Sequence, residues 1–271
     1  MRNLSLILVA ALVTACNTPN ADNPAMEKGA TFAAEPGLSA EPGAIYTEAV
    51  TNPSRLAEDR ARDSGRKPAE VLAFVGIEPG TTVLDMFAGG GYYTEILASI
   101  VGENGKVIAQ TNEAYIAWVG DAFERRFGNE RLPNVEILMA ENNELELAAG
   151  SIDAIMLVLS FHDLYSDNAE QGWPKIDVPA FLAELHKGLR PGGQVGIVDH
   201  YAASGSPAET GNTTHRIDPA IVIADMKAAG FELEAQSDLL RNPDDDYSKS
   251  VFEPTLRGKT DRFVMRFTKA D

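Results

Sequence analysis

The chain has almost no cysteine: Cys16 is the only one among 271 residues. An intrachain disulfide is therefore excluded, and cysteine usage says nothing about the redox compartment. Basic residues are also scarce. There are 23 Lys and Arg against 40 Asp and Glu, a formal net charge of -17. A chain of that balance has no broad phosphate-binding surface, so nucleic acid is not expected as a partner, although a local basic pocket stays open. Long apolar runs are missing too. The stretch from Leu4 to Val13 is too short to span a bilayer as a stable helix, and no other stretch is longer. What is present suits a globular core: 44% hydrophobic residues, and enough length for one sizeable α/β domain with appendages.

The first residues read as a targeting segment. Met1-Arg2 gives a positive start, an apolar stretch follows, and Val13-Thr14-Ala15-Cys16 ends it. This resembles a bacterial lipoprotein processing site, with Val13 where leucine is usual. The resemblance implies a lipid on Cys16, a signal segment over 1–16, and a bacterial cell-envelope location, periplasmic and lipid-anchored. A plain secretory signal with an incidental cysteine is the alternative. Residues 17–44 are rich in Ala, Pro, Gly, Asn and Glu and carry Ala-Glu-Pro-Gly twice, so they read as a flexible tether. Residues 45–80 read as an N-terminal helical cap: a charged helix over 55–63 and a more apolar one over 67–75.

From residue 81 to 271 the chain forms the main domain. Expected strands lie at 82–87, 106–111, 135–139, 154–161 and 194–200. Expected helices lie at 92–101, 113–127, 178–189 and 219–229. Strands alternating with helices imply a parallel sheet covered on both faces. The run Ile152-Asp153-Ala154-Ile155-Met156-Leu157-Val158-Leu159 is nearly all apolar, as a central strand should be. Two further strands, 231–239 and 262–267, read as an antiparallel pair at one edge. The fold class is α/β: a Rossmann-like seven-stranded sheet, five parallel strands plus a C-terminal antiparallel hairpin, with helices on both faces.

Val83-Leu84-Asp85-Met86-Phe87-Ala88-Gly89-Gly90-Gly91 is a strand running into a glycine turn and then a helix. Glycine lets backbone approach a ligand closely, and a helix N-terminus favours an anion. A dinucleotide fingerprint needs a glycine three places after Gly91, where Thr94 stands. The set of signals resembles the class I S-adenosylmethionine-dependent methyltransferases. The acid-ended strand with Gly89 and Gly91 matches the first motif, with Phe87 where glycine is commonest. Glu141 followed by Gly150-Ser151-Ile152-Asp153 matches the third. Leu189-Arg190-Pro191-Gly192-Gly193 matches the turn before the fifth strand. The resemblance implies S-adenosylmethionine as cofactor: Asp85 orienting the loop and the methionine amino group, the glycines facing methionine and ribose, and Glu141 accepting from the adenine amino group. Thr111 stands where an acid usually holds the ribose hydroxyls, and a neutral group makes weaker bonds there.

Three of the four histidines fall where loops should border the same pocket: His162-Asp163, Asp199-His200 and His215. His162 or His200, with Asp163 or Asp199 beside it, would suit a base for a hydroxyl or amine acceptor. The same groups could ligate a metal or merely line the pocket. Arg241-Asn242-Pro243 and Arg257-Gly258-Lys259-Thr260-Asp261 are either a solvated loop or a cationic lid over an anionic acceptor. These segments, with Ala57-Glu58-Asp59-Arg60, resemble a bacterial group of exported predicted methyltransferases. The resemblance implies methyl transfer to a small molecule; the alternative is a repurposed envelope module binding a nucleoside-like ligand or a metal. Oligomeric state is not legible.

Overall fold

The computed structural model describes residues 42–270; the expected signal segment, Cys16 and nearly all of the expected tether lie outside them. Four helices lead in: α1 (Ala44–Thr51), α2 (Ala57–Arg60), α3 (Asp63–Arg66) and α4 (Pro68–Val75). The alternating region runs β1 (Thr82–Met86), α5 (Tyr92–Val101), β2 (Lys106–Thr111), α6 (Glu113–Val119), α7 (Asp121–Phe127), β3 (Val135–Met139) and β4 (Ile152–Val158). Then come α8 (Val178–Gly188), β5 (Leu189–His200), α9 (Thr210–Thr214), α10 (Pro219–Ala228), β6 (Phe231–Ser237) and β7 (Arg262–Lys269).

The seven strands form one sheet in the order β3-β2-β1-β4-β5-β7-β6. Strands β1 to β5 are parallel, and β7 lies antiparallel between β5 and β6. Strand order reverses between β1 and β4, and in open α/β sheets the crevice at that reversal receives ligands. One apolar core fills the face under α8 and α10, from Leu84 and Ile155 to Phe181, Met226 and Phe267. A second fills the opposite face, where Leu72 and Val75 of α4 meet Ile96 and Leu97 of α5 and Val83 and Met156 of the sheet. The N-terminal helices thus cover the sheet itself.

Local chemistry sets the helix starts. Asn112, Asp177 and Asp218 each accept a backbone N–H in the first turn, at α6, α8 and α10. Three expectations need correction. The helix over 113–127 is two helices, because Gly120 adopts φ 55°, ψ -134°, a conformation outside the helical region that glycine tolerates. The charged helix over 55–63 is two short turns. Arg55 and Asp63 bond through both guanidinium nitrogens at 2.8 and 2.9 Å, whereas residues eight apart in a continuous helix stand about 12 Å apart along the axis. The strand over 154–161 starts earlier and stops at Val158, since Leu159 turns to φ 59° and a tight turn at Phe161–Tyr165 follows.

Candidate functional site

The glycine turn leaves the C-terminal end of β1 beside that of β2. Phe87 itself has φ 53°, a left-handed backbone that explains why glycine is the commoner residue there. Its N–H donates to Gln110 Oε1 at 3.0 Å, and Gln110 Nε2 donates to the Ala140 carbonyl at 2.8 Å. The side chain reaching the turn from β2 is therefore Gln110, and the Thr111 hydroxyl beside it is buried without a hydrogen-bond partner among the described residues. Gln110, Thr111 and Asn112 are three polar residues in a row, so nothing in the run singles out Gln110. Alternation along a strand sends neighbours to opposite faces.

Gly89 and Gly91 behave differently. A Cβ on Gly89 would meet nothing nearer than Val119 Cγ1 at 3.6 Å, whereas one on Gly91 would stand 2.7 Å from Phe127 Cζ. Gly91 faces α7, and Gly89 keeps room on its outer side. Arg126 of α7 clasps the turn: its Nε donates to the Gly90 carbonyl at 3.0 Å, and its terminal nitrogens pair with Asp59 and Glu95. Asp85 is buried and accepts from the Thr94 hydroxyl at 2.6 Å. Burial pushes its carboxyl up to about 7, against the pull of the Thr94 bonds. Glu141 is exposed and accepts from Asn112 Nδ2 at 3.1 Å.

A small, shallow cleft opens at this edge, lined by Phe87, Asn112, Tyr115, Asn142, Asp163 and Trp173 among others. Its chemistry fits a nucleoside: aromatic walls, two primary amides, and the Glu141 carboxylate next to Asn112. The Tyr115 ring lies edge-on to Trp173 at 4.6 Å, so Trp173 forms the outer wall. Tyr115 also donates its hydroxyl to Asp163 Oδ2 at 2.7 Å, which ties the cleft to the histidines.

The expected His/Asp cluster does converge. The turn at Phe161–Tyr165 carries His162 and Asp163 across the end of β4. The backbone N–H of His162 donates to Asp199 Oδ2 at 2.9 Å, and its Nδ1 lies 2.8 Å from Asp199 Oδ1. Its Nε2 lies 3.3 Å from Asp163 Oδ1. Burial alone would lower the His162 imidazole, but Asp199 and Asp163 outweigh it, and it is pushed up to about 9. His215, half-buried at φ 54° after α9, brings Nδ1 to 3.9 Å from the same Asp163 oxygen. Its ring stands edge-on to His162 at 5.4 Å. His200 is buried, with Nδ1 2.7 Å from Thr260 Oγ1. Burial first, then the charges of His162, Arg262, Arg216 and Arg66, hold it well below the usual histidine range. Of the expected cationic lid, Arg241 is neutralised by Asp261 at 2.9 Å, and Asp261 also accepts from the Tyr247 hydroxyl. Sequence reasoning missed Tyr115 and Thr260, both neutral groups whose roles depend on contacts 48 and 60 residues away.

The profile of the Protein-L-isoaspartate(D-aspartate) O-methyltransferase family matches residues 49–155. No curated protein sequence matches the chain. Among solved structures, an S-adenosylmethionine-dependent methyltransferase from Aquifex aeolicus is 22% identical with a TM-score of 0.53, covering 76% of this chain and 97% of that one. One from Mesorhizobium loti is 14% identical with a TM-score of 0.52, covering 77% and 100%. The cyclase SpnF is 17% identical with a TM-score of 0.51, covering 79% and 82%. The chain has the Rossmann-like fold of these solved S-adenosylmethionine-dependent methyltransferases.

Proposed function

We propose that the protein transfers a methyl group from S-adenosylmethionine to a small-molecule acceptor. The observation that carries the reading is the meeting of two features at the β1/β4 reversal: an acid-ended strand with its glycine turn, and a cleft with nucleoside-like chemistry. Asn112, Asn142 and Glu141 would hold the adenosine portion, with Phe87 and Tyr115 as its apolar walls. Gln110 is a neutral group at the end of β2, so the ribose hydroxyls would be held by amides rather than by a carboxylate.

When bound, S-adenosylmethionine supplies an electrophilic methyl on a sulfonium centre. The chain's own part is alignment and exclusion of water, since a displacement in line depends on geometry first. The acceptor would lie between the cleft and the histidines. His162, flanked by two carboxylates, is protonated at neutral pH and is the poorer base. His200, kept neutral by burial and neighbouring cations, is the better candidate to take a proton from a hydroxyl or amine. Residues 1–16 are proposed to deliver the protein to the bacterial envelope, with a lipid on Cys16 as its membrane contact.

Calorimetric titration with S-adenosylmethionine and S-adenosylhomocysteine tests the reading. Saturable binding of both is expected. Absence of heat from either at millimolar concentration sinks it.

A further inference from the structure

We propose that His162, Asp163 and His215 bind one first-row divalent cation at the rim of the cleft. One ligand atom from each of the three residues lies within 4.8 Å of the other two. His162 Nε2 and Asp163 Oδ1 are 3.3 Å apart, and His215 Nδ1 is 3.9 Å from that oxygen. Donors held about 2.1 Å from a common ion stand roughly 3.0–3.4 Å from one another. The half-buried His215 has to close on that oxygen by about 0.5–0.9 Å to complete the set.

The donors are already aimed. Asp199 engages Nδ1 of His162, which leaves Nε2 for the site once an incoming cation displaces the proton there to solvent. The Tyr115 hydroxyl takes Oδ2 of Asp163, which leaves Oδ1 facing both imidazoles. A carboxylate behind a ligating histidine and a hydrogen bond behind a ligating carboxylate are the usual outer supports of a metal site. Backbone placement is equally specific. Helix α9 packs so closely on the turn at Phe161–Tyr165 that a Cβ on Gly211 would lie 2.4 Å from the His162 carbonyl oxygen. His215 then takes a left-handed conformation, which a non-glycine residue adopts at some cost and which the packing must hold. Its ring is braced edge-on by Phe252 at 4.7 Å.

Two imidazoles and one carboxylate select zinc, manganese or iron over magnesium or calcium, which prefer all-oxygen shells. Three protein ligands leave coordination positions open. Asp163 also lines the cleft, so those positions face the space where an acceptor would lie. An acceptor bearing adjacent oxygens, or an oxygen beside a nitrogen, is the class that could complete the shell.

The test uses the full chain, purified without a histidine tag and stripped with chelator. It is titrated with Zn²⁺ by calorimetry and with Co²⁺ by visible absorption, with no methyl donor present, so the outcome does not depend on the proposed reaction. One ion per chain is expected. His215→Asn keeps a residue that tolerates positive φ and should fold, as circular dichroism would verify. It should weaken binding at least about 100-fold, and Asp199→Asn about 10–100-fold, as outer supports do. No stoichiometric binding at millimolar Zn²⁺ or Co²⁺ overturns the proposal. So does an unchanged affinity in a folded His215→Asn protein.

Discussion

Replacing Asp85 by asparagine should make the protein more stable at neutral and alkaline pH while weakening its hold on a methyl donor. The Asp85 side chain is 4% exposed, and no cation pairs with it among the described residues. Its one side-chain partner is the Thr94 hydroxyl at 2.6 Å, a neutral donor. Burial pushes its carboxyl from 3.8 up to about 7. The folded-state value is therefore raised above the unfolded one. Protonated Asp85 favours the native state fully below pH 3.8, and that contribution is lost as pH rises through about 7. At about 1.4 kcal/mol per pH unit, the gap amounts to about 4 kcal/mol at pH 8. Asparagine has the same shape, cannot ionise, and still accepts from Thr94. Urea unfolding followed by circular dichroism at pH 4, 6 and 8 should show Asp85→Asn close to wild type at pH 4 and up to about 4 kcal/mol more stable at pH 8. A variant that is less stable at pH 8, or whose gain does not change with pH, would refute the reasoning. A stable variant with lost S-adenosylmethionine affinity would show that the buried acid is retained for its ligand.

Phe87→Gly removes a left-handed phenylalanine but also its ring contacts with Tyr115 at 5.5 Å and Phe181 at 5.8 Å. Relief of about 1 kcal/mol of backbone strain against about 3 kcal/mol of lost burial predicts a net loss near 2 kcal/mol by urea unfolding, with tighter S-adenosylmethionine binding in the enlarged cleft. The His200 imidazole is held below its usual range, so it favours the native state above pH 6.5 and costs stability as pH falls below it. Thermal unfolding across pH 4.5–7.5 should show wild type losing melting temperature on the acid side, with His200→Gln flattening that limb.

Strands β2 and β3 were legible to the residue because a short alternating or apolar run bounded by turn residues leaves one arrangement open. The span 113–127 misled because its helical periodicity continues through Gly120, and only backbone geometry reveals the break there. The end of β4 misled for a related reason: Leu159 and Phe161 continue the apolar run, yet the chain turns at Leu159 to aim His162 and Asp163. At the site, charged residues announced themselves through position after a strand. Gln110, Tyr115 and Thr260 did not, because their partners lie far along the chain and no spacing rule connects them.

The insertion of β7 between β5 and β6 has a consequence for how the molecule comes into being. The strand that joins the parallel sheet to β6 follows the other six strands of the sheet in the chain, so it leaves the ribosome after them. Until residues 262–269 dock, β5 keeps a long open edge and β6 has no neighbour. Unpaired edges are where chains associate wrongly. The nascent sheet is thus exposed to mispairing until β7 emerges, and β5 and β6 then gain their shared neighbour in one step. A fusion or truncation that impedes β7 should yield aggregated protein rather than a smaller folded domain.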